Sequence, residues 1–157
     1  MEVVRRIALR VGQYRWFAAF VRRFGARFER LAYRATGGRF TPSGWLMPIL
    51  LLTTTGRRSG RERTTPLMYL RDGSRIVVSC ENFGQKRQAA WPLNLDANPR
   101  ALVQLGRDVL ECRARRLSEE EADDYWPRLV AAYPGHASYR KRSGQRHTFA
   151  LEPVGSR

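Results

Sequence analysis

Apolar and polar residues alternate through VLECRARRL (109–117): Leu110, Cys112 and Ala114 fall on one face, Glu111, Arg113 and Arg115 on the other. A period of two places these sets on opposite sides of a pleated strand, one toward a core and one toward water. ALVQL (101–105) precedes it across the hairpin turn Gly106-Arg107-Asp108. Upstream, PILLLTTT (48–55) reads as a buried strand and RTTPLMYLR (63–71) as a second. RIVVSC (75–80) is a third, reached through the turn Asp72-Gly73-Ser74. HTFALEP (147–153) closes the set, which makes six antiparallel strands.

Elsewhere the rhythm changes. AAWPLNLDANP (89–99) predicts a short helix ending near Asn98-Pro99. SEEEADDYWPRLVAAY (118–133) predicts a longer one, opened by a capping box of Ser118 and Glu121. YPGHASYRKRSGQR (133–146) carries no period and is expected to be an irregular loop. Near the N-terminus, Tyr14, Phe17, Val21, Phe24, Phe28 and Leu31 recur at helical spacing, with Arg15, Arg22, Arg23, Arg27 and Arg30 on the other faces. ATGGRFTPSGW (35–45) is a linker. The expected organisation is a basic amphipathic segment (1–40) followed by one α+β domain (41–157). Six such strands suffice for a small closed or split barrel.

Charge narrows the partners. The 157 residues carry 29 basic and 14 acidic side chains, a net +15. Such a field suits a polyanion: nucleic acid, an anionic membrane or a phosphorylated small molecule. Only Lys86 and Lys141 are lysines, and arginine is the residue whose planar fork grips phosphate and carboxylate. A codon bias toward arginine is the plainer explanation. The basic helix within residues 1–34 either lies on an anionic membrane surface or packs on the domain. No continuous apolar run reaches the ~18 residues a spanning helix needs. No signal-peptide core is visible either, because arginines interrupt the N-terminal apolar stretches. Cys80 and Cys112 sit in strand-like runs rather than at metal spacing, so reduced core thiols, a cytoplasmic protein and no metal are expected. A nucleic-acid binder is disfavoured: no binding motif is recognisable, and the aromatics lie at core spacings rather than on a stacking platform.

The densest charge lies in TTTGRRSGRERTTPL (53–67), where Arg57, Arg58, Arg61 and Arg63 crowd a glycine turn between two strands. Backbone amides of such a turn can cradle an anion, and arginines add bidentate bonds. A solvated hairpin tip has the same composition.

This turn, followed in order by RIVVSCENFG, AAWPLNLDANP and YWPRLVAAYPGHASY, resembles the deazaflavin-dependent nitroreductase family of actinobacteria over about two thirds of the chain. The resemblance implies a six-stranded split β-barrel of the FMN-binding type. It also implies coenzyme F420, a 5-deazaflavin bearing a phosphate and an oligoglutamate tail, as hydride donor to quinones, enones or nitroaromatics. A basic N-terminal segment on the inner face of the membrane belongs to the same picture. Carried onto this sequence, Arg57, Arg58, Ser59 and Arg63 would hold the coenzyme's anions. Ser79, Cys80, Glu81 and Asn82 would border the ring on one side, and Ala90, Trp91 and Asn94 would cover the other. Trp91 reads equally well as core. Glu81 replaces a serine of the nitroreducing members and His136 replaces a tyrosine, while Tyr139 is kept. His136 and Tyr139 are the expected proton donors. FMN in the same barrel is the alternative cofactor. Oligomeric state and natural acceptor stay open.

Overall fold

The computed structural model describes Tyr14, residues 25–36 and residues 47–155. Seven strands make one sheet: β1 (Ile49–Thr55), β2 (Glu62–Met68), β3 (Leu70–Asp72), β4 (Arg75–Cys80), β5 (Arg100–Leu105), β6 (Asp108–Arg116) and β7 (His147–Pro153). Their order is β2-β1-β5-β6-β7-β4-β3, and every neighbouring pair is antiparallel. The count is seven rather than six because the segment expected as one strand over 63–71 divides at Tyr69, whose N–H turns to the Pro48 carbonyl at 3.3 Å. The division has a topological cause. β2 and β3 are consecutive in the chain yet occupy opposite edges of the sheet, so the chain crosses from one edge to the other at Tyr69. That crossing holds the edges together and curls the sheet into a half-barrel. Pro66 lies in β2, an edge strand, where a missing N–H costs no ladder bond on the open side.

The alternation in β6 is realised: Cys112 and Ala114 are buried while Glu111, Arg113 and Arg115 are exposed. They join Leu50 and Leu52 of β1, Val78 of β4, Val103 of β5 and Phe149 of β7 in the core. Helix α1 spans Ala26–Ala35, α2 Ala90–Ala97, α3 Glu119–Ala132 and α4 Gly135–Ser143. α2 contributes Trp91 and Leu95 to the core. α3 begins with the expected capping box: the Ser118 hydroxyl accepts from the Glu121 N–H at 3.2 Å, and Ser118 N–H donates to the Glu121 carboxylate at 2.9 Å.

α4 corrects the expected loop. Its sequence, GHASYRKRS, has no apolar stripe. Its end is signalled in the chain, though: Gly144 takes φ 69° and donates to the Arg140 carbonyl, behind a basic last turn of Arg140, Lys141 and Arg142. At its start Gly135 lies so close to the Tyr133 ring that a Cβ would collide with it.

Most of the expected N-terminal amphipathic helix, residues 15–24, lies outside the described residues. The described part, α1, is docked. Tyr33 is 1% exposed, and its hydroxyl donates to the Gln104 carbonyl at 3.1 Å and accepts from Gly106 N–H at 2.5 Å. One turn earlier the Arg30 guanidinium donates to the Thr64 carbonyl of β2 at 2.8 Å. Phe28 and Leu31 remain exposed. Among the described residues no helix is long and apolar enough to cross a membrane.

Tyr33→Phe would strand the Gly106 N–H and the Gln104 carbonyl. The expected cost is about 1–3 kcal/mol, the usual penalty for such unpaired groups, read from the midpoint and slope of urea unfolding. An unchanged midpoint would mean that the hydroxyl does not fasten α1.

Candidate functional site

The arginine turn between β1 and β2 is tightly built. Gly56 N–H donates to the Arg61 carbonyl at 2.8 Å, and Ser59 and Gly60 N–H both return to the Gly56 carbonyl. A Cβ on Gly56 would meet Ser59 Oγ at 2.8 Å and the Arg61 carbonyl at 3.0 Å, so any side chain here would have to push both aside. Gly60 adopts φ 63°. Arg57 N–H donates to Asn94 Oδ1 and Arg61 N–H to Ser59 Oγ. Five amides of the turn are therefore spent inside the protein. The expectation that its backbone cradles an anion narrows to the Arg58 N–H, which has no internal partner among the described residues, with the arginine side chains as the other available donors. Asn94, 3% exposed on α2, also donates from Nδ2 to Thr54 Oγ1 at 3.1 Å. One buried amide thus joins the end of β1, the turn and α2.

Two open clefts of about 490 and 480 Å³ adjoin at Arg57, Arg58 and Ala90 and form one groove. The outer lobe is walled by Arg30, Arg58, Ser59 and Arg63, with Glu62 as the one acid among the described residues that line it. The inner lobe is walled by the amides of Asn82, Gln85 and Gln88, by Arg87, and by the apolar Ala89 and Leu93.

The inner wall is a strained turn. Asn82 and Phe83 take φ 45° and 54°, a conformation that costs non-glycine residues about 1–3 kcal/mol each and persists only when the surroundings impose it. Glu81 accepts Gly84 N–H on its carbonyl at 2.9 Å, and Asn82 Nδ2 donates to the Arg87 carbonyl. Beneath the turn the Glu81 side chain is 2% exposed. Its Oε1 accepts from Ser79 Oγ at 2.5 Å, and its Oε2 lies 2.5 Å from His136 Nδ1. Because the carboxylate oxygen accepts, Nδ1 carries the hydrogen. Ser79 Oγ is spent on Glu81, so the Thr148 hydroxyl, 3.2 Å away, donates to Ser79. His136 Nε2 is buried without a partner among the described residues, between the edges of the Trp126 and Tyr133 rings. Tyr133 and Tyr139 share a hydroxyl–hydroxyl bond of 2.8 Å, and burial pushes both phenols above their usual range.

Of the residues expected at the site, Arg57, Arg58, Ser59, Arg63, Asn82, Ala90 and Asn94 line the groove. Ser79 and Glu81 lie under it as a hydrogen-bonded pair. The side chains of Cys80 and Trp91 belong to the core: the Trp91 ring packs 5.6 Å from Phe149, and burial pushes the Cys80 thiol up to about 12. His136 and Tyr139, expected on a loop as proton donors, are buried on α4 and line neither lobe. Arg30, Gln85, Arg87 and Gln88 escaped the sequence reading. For Arg30 a signal was present, since it stands one helical turn before the aromatic that anchors α1. Among the described residues no cluster of His, Cys, Asp and Glu could hold a metal ion.

The family model of the F420H(2)-dependent quinone reductases matches residues 23–151. Rv1261c of Mycobacterium tuberculosis, an F420H(2)-dependent quinone reductase, is 32% identical over 112 residues, 69% of this chain and 74% of its own. Among solved structures, the F420-H2-dependent reductase FDR-A superposes with a TM-score of 0.61 at 36% identity, over 67% of this chain and 94% of that one. A second, solved as a domain-swapped dimer, gives 0.63 at 33% identity, over 85% of this chain and 98% of that one.

Asn94→Ala would leave the Arg57 N–H and the Thr54 hydroxyl without their buried acceptor and donor. It is expected to destabilise the fold by about 1–3 kcal/mol and to speed amide exchange at Arg57. Wild-type exchange there would mean that the turn holds itself.

Proposed function

The chain belongs to the F420H(2)-dependent quinone reductase family, and from that premise we propose that its groove presents reduced coenzyme F420 to a quinone-like acceptor. The cofactor of the family is F420. The residues of the groove fit it: the outer lobe offers Arg30, Arg57, Arg58 and Arg63 against one carboxylate among its described residues, Glu62, and the inner lobe offers amides beside small apolar side chains. The outer lobe suits the phosphate and glutamyl carboxylates, and the inner lobe suits a flat heteroaromatic ring with hydrogen-bonding edges. The observation that carries this reading is the arginine turn itself. Its shape is fixed by Gly56 and Asn94, and its five spent amides leave anion binding chiefly to guanidinium groups.

When bound, the coenzyme supplies a hydride; the protein supplies position. Arg57 and Arg58 stand where the two lobes meet, so they would fix where the anionic part ends and the ring begins. Asn82, Gln85 and Gln88 would orient the ring edge. Reduction of a quinone to a quinol also takes protons. Since His136 and Tyr139 do not reach the groove, we assign that supply to water in the open groove and give α4 a supporting role. Enones and nitroaromatics are further candidate acceptors of the same hydride. Contact of residues 1–34 with an anionic membrane surface is supported by the exposed Phe28 and Leu31 beside the exposed Arg27 on α1. Full-length protein that stays in the supernatant with anionic vesicles would end that part of the reading.

A grip made of side-chain charges is separable from the fold. Arg58 and Arg63 changed together to alanine should weaken F420 binding by roughly 3 kcal/mol or more, since charge-assisted bonds contribute about 1.5–3 each. Added salt should weaken wild-type binding as well. Tryptophan fluorescence titration with oxidised F420 measures both. Equal affinity in variant and wild type would place the anion elsewhere.

A further inference from the structure

α4 meets the strained inner wall in register. His136 reaches Glu81 at 2.5 Å, and the Tyr139 ring packs 5.7 Å from that of Phe83. Arg142 lies over Gly84, where a Cβ would meet its Nε at 2.6 Å, and Gln145 Nε2 donates to the Lys86 carbonyl. Positions 136, 139 and 142 are three apart, so they form one stripe of the helix. The stripe advances along the turn in the order 81, 83, 84, and Gln145 extends it to 86. The opposite side of the turn faces the groove, where Asn82 and Arg87, bonded to each other, line the inner lobe.

We propose that α4 is the positioning element of the inner wall and that His136 is its anchoring residue. The wall's two left-handed residues cannot hold their own conformation; the register with α4 imposes it. Of the four contacts, only the one at His136 joins two side chains that are both buried by more than nine tenths, with Ser79 and Thr148 completing the bonds around the carboxylate. Losing it would free Glu81, and the turn that follows Glu81 would drift against the groove. His136 thus acts through the turn and touches neither coenzyme nor acceptor. This assignment rests on the F420 reading only for what the wall contacts.

The test compares His136→Leu, His136→Asn and Val103→Ala, a core truncation on β5, by amide exchange of the free protein and by F420 titration. His136→Leu should speed exchange across residues 82–87 by about tenfold or more and raise the F420 Kd by about tenfold. His136→Asn, whose amide can donate where Nδ1 does, should restore both. Val103→Ala should lower Tm and leave both unchanged. If His136→Leu behaves like Val103→Ala, losing Tm alone, the proposal is overturned. Should His136→Leu not fold, Gln145→Ala at the half-buried end of the register decides: faster exchange near Lys86 supports the register, and unchanged exchange refutes it. A wild-type protein that takes up no F420 would fail the functional reading, yet the exchange measurements would still decide the role of α4.

Discussion

A carboxamide buried at 3% exposure has to find partners for both its ends or destabilise the fold. Asn94 finds them in Thr54 and Arg57. Those two residues flank the point where β1 leaves the sheet, so the requirement fixes the arginine turn relative to α2 and the core. Everything the groove can do with charge follows from that constraint. The turn can carry arginines at its tip because most of its backbone amides are bonded within the protein, and its side chains keep their donors for a ligand.

The inner wall is built on the same logic with a carboxyl group. Glu81 is buried beneath the turn and is satisfied by Ser79 and His136. Glu81 and His136, the two positions that the resemblance implied to be departures from a nitroreducing pattern, are two that touch. Truncating one partner of such a pair leaves the other's buried polar atoms unsatisfied, a larger penalty than the pair's net contribution to stability. The groove therefore has two walls on independent supports, one held by a neutral amide and one by an ionisable pair.

The strands were legible in the sequence wherever one face meets water: β6 alternates, and its buried set is the one the period predicts. The capping box of α3 was legible because it is a local arrangement of four residues. The break at Tyr69 was not, since it arises from sheet topology, and no glycine or proline marks it. α4 was missed because it has no apolar stripe; its buried residues are His136, Tyr139 and Ser143, which a pattern search counts as polar or mixed. The arginine turn was found by charge density, but the bond that ties it to α2 runs from the Arg57 N–H to Asn94, thirty-seven residues away. Arg30 entered the groove from a helix that the sequence suggested reading as separate from the domain.

In the proposed function, this groove turns over reduced F420 against a quinone. The most direct measurement mixes purified full-length protein with reduced F420 and a naphthoquinone and follows the return of the oxidised deazaflavin absorbance. Oxidation is expected to depend on the protein, to saturate in coenzyme and to fall with added salt, with no comparable turnover of reduced FMN. A protein that leaves reduced F420 at its spontaneous rate while binding and turning over FMN would contradict it.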